Sequence, residues 1–149
     1  MSITIRKAKI SDLLKTFEWA NEKETIKNSI ERSKKVSLNE HTKWFKNYIF
    51  SKHNHLLIAS YKTQLIGLVR IDMKKKYFFL SFLVDKDKRN KSFGYRILNK
   101  VIKKYKKKKF FQARVKKNNL ASNLIFKKLG FEIKYTNQIK KTYLYRLVL

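Results

Sequence analysis

In the stretch VDKDKRNKSFGYRIL, residues 84–98, the basic residues Lys88, Arg89 and Lys91 precede Ser92 and Gly94. There an apolar, strand-like run gives way to a helical stripe. A helix N-terminus has unpaired N–H groups and a partial positive charge, so a small-residue turn at that point can hold a phosphate or pyrophosphate. A structural turn under a solvated basic loop is the competing reading, because the residues form neither G-x-x-x-x-G-K-S/T nor G-x-G-x-x-G. The chain has only three glycines and no proline, and glycine is required only where φ is positive or another group comes close. Gly130, just past NLIFKKL, reads as a helix C-cap. Gly67, inside LIGLV, implies a bulge or the close approach of protein or substrate.

Other side chains with chemical capacity are spread along the chain. His41 carries an imidazole that titrates near neutrality and can take an amine proton or contact a phosphate; a solvent-facing or cap-bonded histidine is the alternative. Arg70 and Asp72 alternate on one apolar run and so face the same side, where they can bracket a sugar hydroxyl or amine or form a surface ion pair. Trp44 and Phe45 read as core or as a stacking platform for a nucleobase. His53 and His55 have no acidic cluster near them in the sequence, so no metal is expected. The absence of cysteine removes disulfides, thiolate metal sites and thiol nucleophiles.

These residues must be positioned by one domain, since 149 residues suit a single core. ITIR reads as a strand and SDLLKTFEWAN as a helix capped by Ser11. Residues 22–37 read as a short helix plus a loop, and NEHTKWFKNYI as a helix capped by Asn39. Three consecutive antiparallel strands follow in HLLIASYKTQLIGLVRIDMKKKYFFLSFLV. From Ser92 the period turns helical through Ile97, Leu98, Val101, Ile102 and Tyr105. FFQARV, NNLASNLIFKKLG, FEIKY and TYLYRLVL then give strand, helix, strand, strand. This is a mixed α/β domain with a mostly antiparallel sheet.

Lys and Arg number 38 against 10 Asp and Glu, a formal charge of +28. That balance favours polyanions or phosphorylated small molecules; residues favoured by AT-rich codons account for part of it. The Lys-rich run KKYKKKK, residues 103–109, reads as a solvated helix end whose cations suit the helix dipole. No apolar run approaches the ~20 residues of a membrane span and the N-terminus lacks a signal-peptide core, so a cytoplasmic location is the default expectation.

RNKSFG followed by an amphipathic helix resembles the acetyl-CoA signature R/Q-x-x-G-x-G/A of the GNAT acetyltransferases, with Ser92 at its first glycine. One strand later, NLASNLIFKKLGF resembles that family's N-x-x-S signature followed by an aromatic and L-G-F. The resemblance implies the GNAT fold, with FFLSFLV and the next parallel strand splayed around a pantetheine arm. It also implies acetyl-CoA as cosubstrate: backbone groups near Leu83 and Val84 would pair with the pantetheine amides, and the amides of Arg89, Asn90, Lys91, Ser92, Phe93, Gly94 and Tyr95 would hold the pyrophosphate. Asn119, Ser122 and Phe126 would border the arm.

FEWANEKETIKNS with LNEHTKWF is similar to the W-x-N … S … E-H-x-x-W-F pattern of GNAT enzymes that acetylate nucleotide-linked amino sugars, including those of pseudaminic-acid-type pathways. It implies Asn21, His41, Trp44, Arg70 and Asp72 as acceptor contacts, with Ala20 where relatives often have Arg. The chain departs from the family twice. YFFLSFLV has no glutamate for the usual base, which turns attention to a water chain through Ser81 or His41, and Phe126 replaces the usual acid tyrosine, so that the thiolate takes its proton from water or from a relocated group such as Tyr135 or Tyr143, or CoA is bound without efficient transfer. The expected activity is direct acetyl transfer from acetyl-CoA to the amine of a nucleotide-linked amino sugar. The rivals are acetylation of protein N-termini, as on a ribosomal protein, and a nucleic-acid- or ribosome-binding module that has lost transfer. The oligomeric state is open.

Overall fold

The computed structural model describes residues 2–106 and 110–148. Its elements are β1 (Thr4–Lys7), α1 (Leu13–Ala20), α2 (Lys23–Asn28), α3 (Leu38–Ile49), β2 (His55–Tyr61), β3 (Gln64–Met73), β4 (Tyr77–Val84), α4 (Phe93–Lys104), β5 (Phe110–Lys116), α5 (Leu120–Lys128), β6 (Glu132–Asn137) and β7 (Thr142–Val148). The seven strands make one sheet in the order β1-β2-β3-β4-β5-β7-β6. All neighbours are antiparallel except β4 and β5, which are parallel. This is the mixed α/β GNAT architecture expected from the sequence. Of the basic run at the end of α4, Lys107–Lys109 lie outside the described residues.

Alternation along the strands divides the core between two faces. On one face, Ile97, Leu98, Val101 and Ile102 of α4 and Phe126 of α5 pack on Leu57, Val69, Ile71, Phe78, Leu80, Phe111 and Tyr145. On the other, Trp19 of α1 and Phe45 of α3 cover Leu56, Ile58 and Leu68. Phe45 is therefore core, while Trp44 lies half-buried beside it.

Two helix starts differ from the sequence expectation. Ser11 lies inside a 3-10 turn, Ile10–Asp12, so α1 begins after Asp12. The cap of α3 is Ser37 rather than Asn39: Ser37 Oγ accepts the Glu40 N–H at 3.1 Å, and Glu40 sits three residues on, as in a capping box.

Gly67 marks a close backbone approach. Ser60 pairs with Leu65 and Ala59 with Gly67, so Ile66 is an extra residue bulged out of β3. A Cβ on residue 67 would lie 2.4 Å from the Leu83 carbonyl oxygen of β4, a backbone atom with no room to move. The requirement is thus structural. Gly67→Ala should lower stability by about 1–3 kcal/mol, read as a reduced urea midpoint at unchanged slope; unchanged stability would mean the two strands move apart at no cost.

Candidate functional site

The parallel pair holds for four residues only, from Tyr77↔Phe110 to Leu80↔Ala113. Beyond that point β4 stays bonded to β3 as far as Val84, and β5 to β7 as far as Lys116. From Ser81 and Arg114 onward the two strands therefore part, and a backbone edge of each faces a gap. The Leu83 carbonyl points to β3, against Gly67. By strand alternation the backbone groups of Phe82 and Val84 face the gap, in the stretch around Leu83 and Val84 that the sequence singled out. The Val84 carbonyl already accepts Arg89 Nε at 3.1 Å.

At the open end of the gap lies the basic turn. Asn90 and Ser92 both adopt left-handed conformations, φ 60° and 64°, with Lys91 between them. Left-handed residues that alternate with a residue of negative φ turn successive N–H groups to one side, the geometry of an anion-binding concavity. The helical ladder of α4 starts with Arg96 N–H bonded to Ser92 O at 3.1 Å, so the amides of Phe93, Gly94 and Tyr95 precede it, and Ser92's side chain caps none of them. Gly94 answers to packing: its Cβ would sit 2.8 Å from Ile125 Cδ1 and 3.2 Å from Phe82 Cε2. The glycine lets α4 close on α5 and β4, which brings the turn to the mouth of the gap.

On the far side of the gap, Asn119 Oδ1 caps α5 through the Ser122 N–H, 3.3 Å away, and Ser122 lies half-buried in the first turn. The neighbouring Asn123 is the residue sequence reasoning missed here. Its Nδ2 donates to the carbonyls of Lys116, Lys117 and Asn119, and its Oδ1 accepts the buried Tyr145 hydroxyl at 2.6 Å, which fixes the corner between β5 and α5. Phe126 is buried, edge-on to Phe82 and stacked on Tyr145. Tyr135 stands exposed on the edge strand β6, whereas Tyr143 lies on β7 opposite Val115 in the parted stretch of β5.

Opposite α4 and α5, the sheet carries a polar network. Arg70 Nη2 donates to Ser81 Oγ at 3.1 Å and to Glu31 at 2.8 Å, with Nη1 3.3 Å from the second Glu31 oxygen. Arg70 Nε is 3.7 Å from Asp72 Oδ2, and Tyr48 donates to Asp72 Oδ1 at 2.5 Å. Burial and the Asp72 carboxylate push the Tyr48 phenol up. Arg70 and Asp72 do share a face, as expected, but their side chains are only 14% and 18% exposed, too buried for a surface ion pair. Ser81 is the first β4 residue past the last β4–β5 pair, which puts this network at the apex of the gap.

His41 is not brought to that apex. It is buried on α3 among Phe17, Trp44 and Phe45. Its Nε2 is 2.9 Å from Thr16 Oγ, whose own proton goes to Leu13 O, so Nε2 is the donor in this pairing. Burial, with the Arg32 charge nearby, holds its pKa below the ordinary imidazole value. Trp44 stands between His41 and Tyr48, 5.4 and 5.1 Å between ring centroids. Both ends of the Asn21 amide bond the Val36 backbone, at 2.8 and 2.9 Å.

Residues 21–37 form a strap over this face. Arg89 Nη2 grips Glu22 at 2.8 Å, Lys116 Nζ grips the Lys27 carbonyl at 2.8 Å, and Arg70 holds Glu31. The strap thus reaches from the turn after β4 to the end of β5. Arg89, with the Val84 carbonyl as a further partner, holds Glu22 down to about 2. Elsewhere, a pocket of about 70 Å³ bounded by Lys7, Tyr48, Asn54 and His55 lies at the corner of β1, β2 and α3, away from the gap. Among the described residues no group of His, Asp and Glu is placed to hold a metal, and no helix is long and apolar enough to cross a membrane.

Residues 14–131 match the acetyltransferase (GNAT) family. No curated protein matches the chain. Among solved structures it is similar to spermidine N-acetyltransferase from Vibrio cholerae in complex with CoA and spermine, at 14% identity over 99% of this chain and 95% of that one, TM-score 0.84. It is similar to ribosomal-protein-alanine N-acetyltransferase from Brucella melitensis, at 20% identity over 98% and 99%, TM-score 0.80. A domain from Methanocaldococcus jannaschii is 19% identical over 99% of both chains, TM-score 0.85. At these identities the likeness is one of fold.

His41 gives the site a pH signature. The unfolded chain protonates it at the ordinary value of 6.5, the folded chain only at lower pH. Between the two the unfolded state binds more protons, so stability falls as pH drops through that window. Urea unfolding followed from about pH 8 to about pH 5 should show this fall. His41→Gln should flatten it, leaving a residual slope from His55, whose pKa is also lowered by burial. An unaltered slope would remove His41 from this account.

Proposed function

The chain belongs to the acetyltransferase (GNAT) family, and from that premise we propose that it transfers acetyl from acetyl-CoA directly to the amine of a nucleotide-linked amino sugar. The observation that carries the transferase reading is the parting of β4 and β5 beyond Leu80 and Ala113, with the left-handed turn at Asn90 and Ser92 across its mouth. A pantetheine arm carries two amides, which suit the backbone edge presented by Phe82 and Val84. A pyrophosphate suits the amides of the turn and of Phe93, Gly94 and Tyr95. Bound acetyl-CoA supplies the activated acyl group as a thioester.

The chain's own residues supply position and proton handling. On the acceptor side of the apex stand Arg70, Asp72, Ser81 and Tyr48, hydrogen-bonding groups that suit a hydroxyl-rich acceptor better than an apolar one. Asp72 and Ser81 orient the sugar so that its amine meets the thioester carbon, the positional contribution that dominates such a transfer. Ser81, fixed by Arg70, orients a water that takes the amine proton, since imidazole His41 is engaged by Thr16. Phe126 has no proton to give, so the departing thiolate takes one from water. Phe126→Tyr should therefore raise kcat by about tenfold or more while leaving acetyl-CoA affinity unchanged; a kcat no higher than wild type would show that the proton is not limiting.

Calorimetric titration of acetyl-CoA at low and at moderately high salt, with a polyanion control, tests the cofactor site. Saturable one-site binding that persists in salt and is weakened about tenfold or more by Lys91→Glu supports it. This variant is preferred to one at Gly94, which would disturb the contact with Ile125. Binding lost in salt and shared equally with the polyanion would favour a nucleic-acid-binding module, because such binding depends on counterion release. A panel of uridine-diphosphate-linked amino sugars, peptide N-termini and spermidine then identifies the acceptor; turnover confined to peptides or polyamines would overturn the sugar.

A further inference from the structure

We propose that Arg70 is the recognition point for an oxyanion carried by the acceptor, and that Glu31 occupies this point until the acceptor displaces it. The proposal rests on the transferase reading in that the acceptor must reach the apex of the gap, but it is independent of the sugar.

The two partners are unequal. Arg70 projects from the centre of the sheet with a side chain 14% exposed, while Glu31 is 67% exposed on a segment without helix or strand between α2 and α3. Arg70 meets both Glu31 oxygens through Nη1 and Nη2, the paired geometry by which a guanidinium takes a carboxylate or phosphate. Its Nε is buried and makes no hydrogen bond. The fixed cation therefore has the character of a site and the carboxylate that of an occupant. Releasing Glu31 costs little, because water already reaches it. Leaving the buried Arg70 with only Ser81 and the more distant Asp72 carboxylate costs more.

An incoming acceptor that brings its own oxyanion satisfies Arg70 and frees the strap; one that brings none leaves Nη1 without its partner and Nη2 with Ser81 alone. The arrangement selects charged acceptors by penalising neutral ones. Position ties the oxyanion to the acceptor rather than to the cofactor. Arg70 bonds Ser81, the first β4 residue past the β4–β5 pairing, on the face opposite α4, whose N-terminal turn would take the pyrophosphate. Asp72 and Tyr48 beside it leave a polar wall for the remainder of the molecule.

The test follows the Arg70 Nε–H resonance of the full-length protein at moderate salt during titration with uridine diphosphate, with glutarate and with uridine. The expected result is a saturable shift with either oxyanion and none with uridine; the stronger of the two identifies phosphate or carboxylate as the source. Glu31→Gln should tighten the binding about threefold or more by removing the internal competitor, and Arg70→Lys should abolish it. Because Glu31 is exposed, its variant keeps the test decisive even if Arg70→Lys fails to fold. Uridine diphosphate binding that leaves Nε–H unmoved, or an affinity indifferent to Glu31→Gln, would overturn the proposal. Turnover of nucleotide sugars with an unmoved Arg70 would sink this inference alone. An Arg70 shift without any sugar turnover would sink the sugar reading alone.

Discussion

Two parallel strands that stop pairing after four residues are a costly arrangement, because each leaves a row of backbone amides and carbonyls without its usual partner. The gap persists because each strand is held from its other side and at its end. β4 stays laddered to β3, with Asp85 N–H on Ile66 O and the Trp19 indole N–H on Asp85 at 2.7 Å. β5 stays laddered to β7, and Asn123 gathers three carbonyls at its exit. The bulge at Ile66 and the absent side chains at Gly67 and Gly94 let β3, α4 and α5 close around the gap without filling it. Most of the chain's special features serve this one departure from regular pairing.

Charge does the remaining fastening. With 38 basic residues and 10 acids, an acid is the scarce partner, and among the described residues seven acids form ion pairs. Several of those pairs join segments far apart in sequence: Glu22 to Arg89, Glu31 to Arg70, Asp85 to Lys15. An excess of cations thus becomes a means of choosing contacts, since a carboxylate placed almost anywhere finds a base but only a few are placed at joints.

The order of elements was legible because apolar period separates strand from helix, and the stripe from Ile97 to Ile102 is the buried face of α4. Cap residues were less so: a 3-10 turn moved the start of α1, and Ser37 precedes α3 where Asn39 competes for the same role. Gly94 was visible as a position, but the reason for it, Ile125, lies on another helix. The W-x-N pattern that suggested a sugar acceptor consists of Trp19, tied to Asp85, and Asn21, tied to Val36; both hold the scaffold whatever the substrate. Glu22 and Glu31 went unremarked, although scarcity of acids was itself a reason to ask where each one goes, and Tyr48 was read only as a helix position.

The strap differs from the rest of the molecule in one respect: no residue from 21 to 40 is buried. Its hold on the sheet comes from Glu22, Glu31 and the Lys27 carbonyl, the Asn21 clasp closes the strap on itself, and no apolar side chain is sunk into the core. Hydrophobic packing is nearly indifferent to dissolved ions, whereas exposed ion pairs weaken as the Debye length contracts, to about 8 Å at physiological ionic strength. The sheet and the cover over its acceptor face therefore answer to different variables. Dissolved ions therefore reach the cover chiefly through Glu31, whose side chain is 67% exposed, and leave the sheet beneath it untouched.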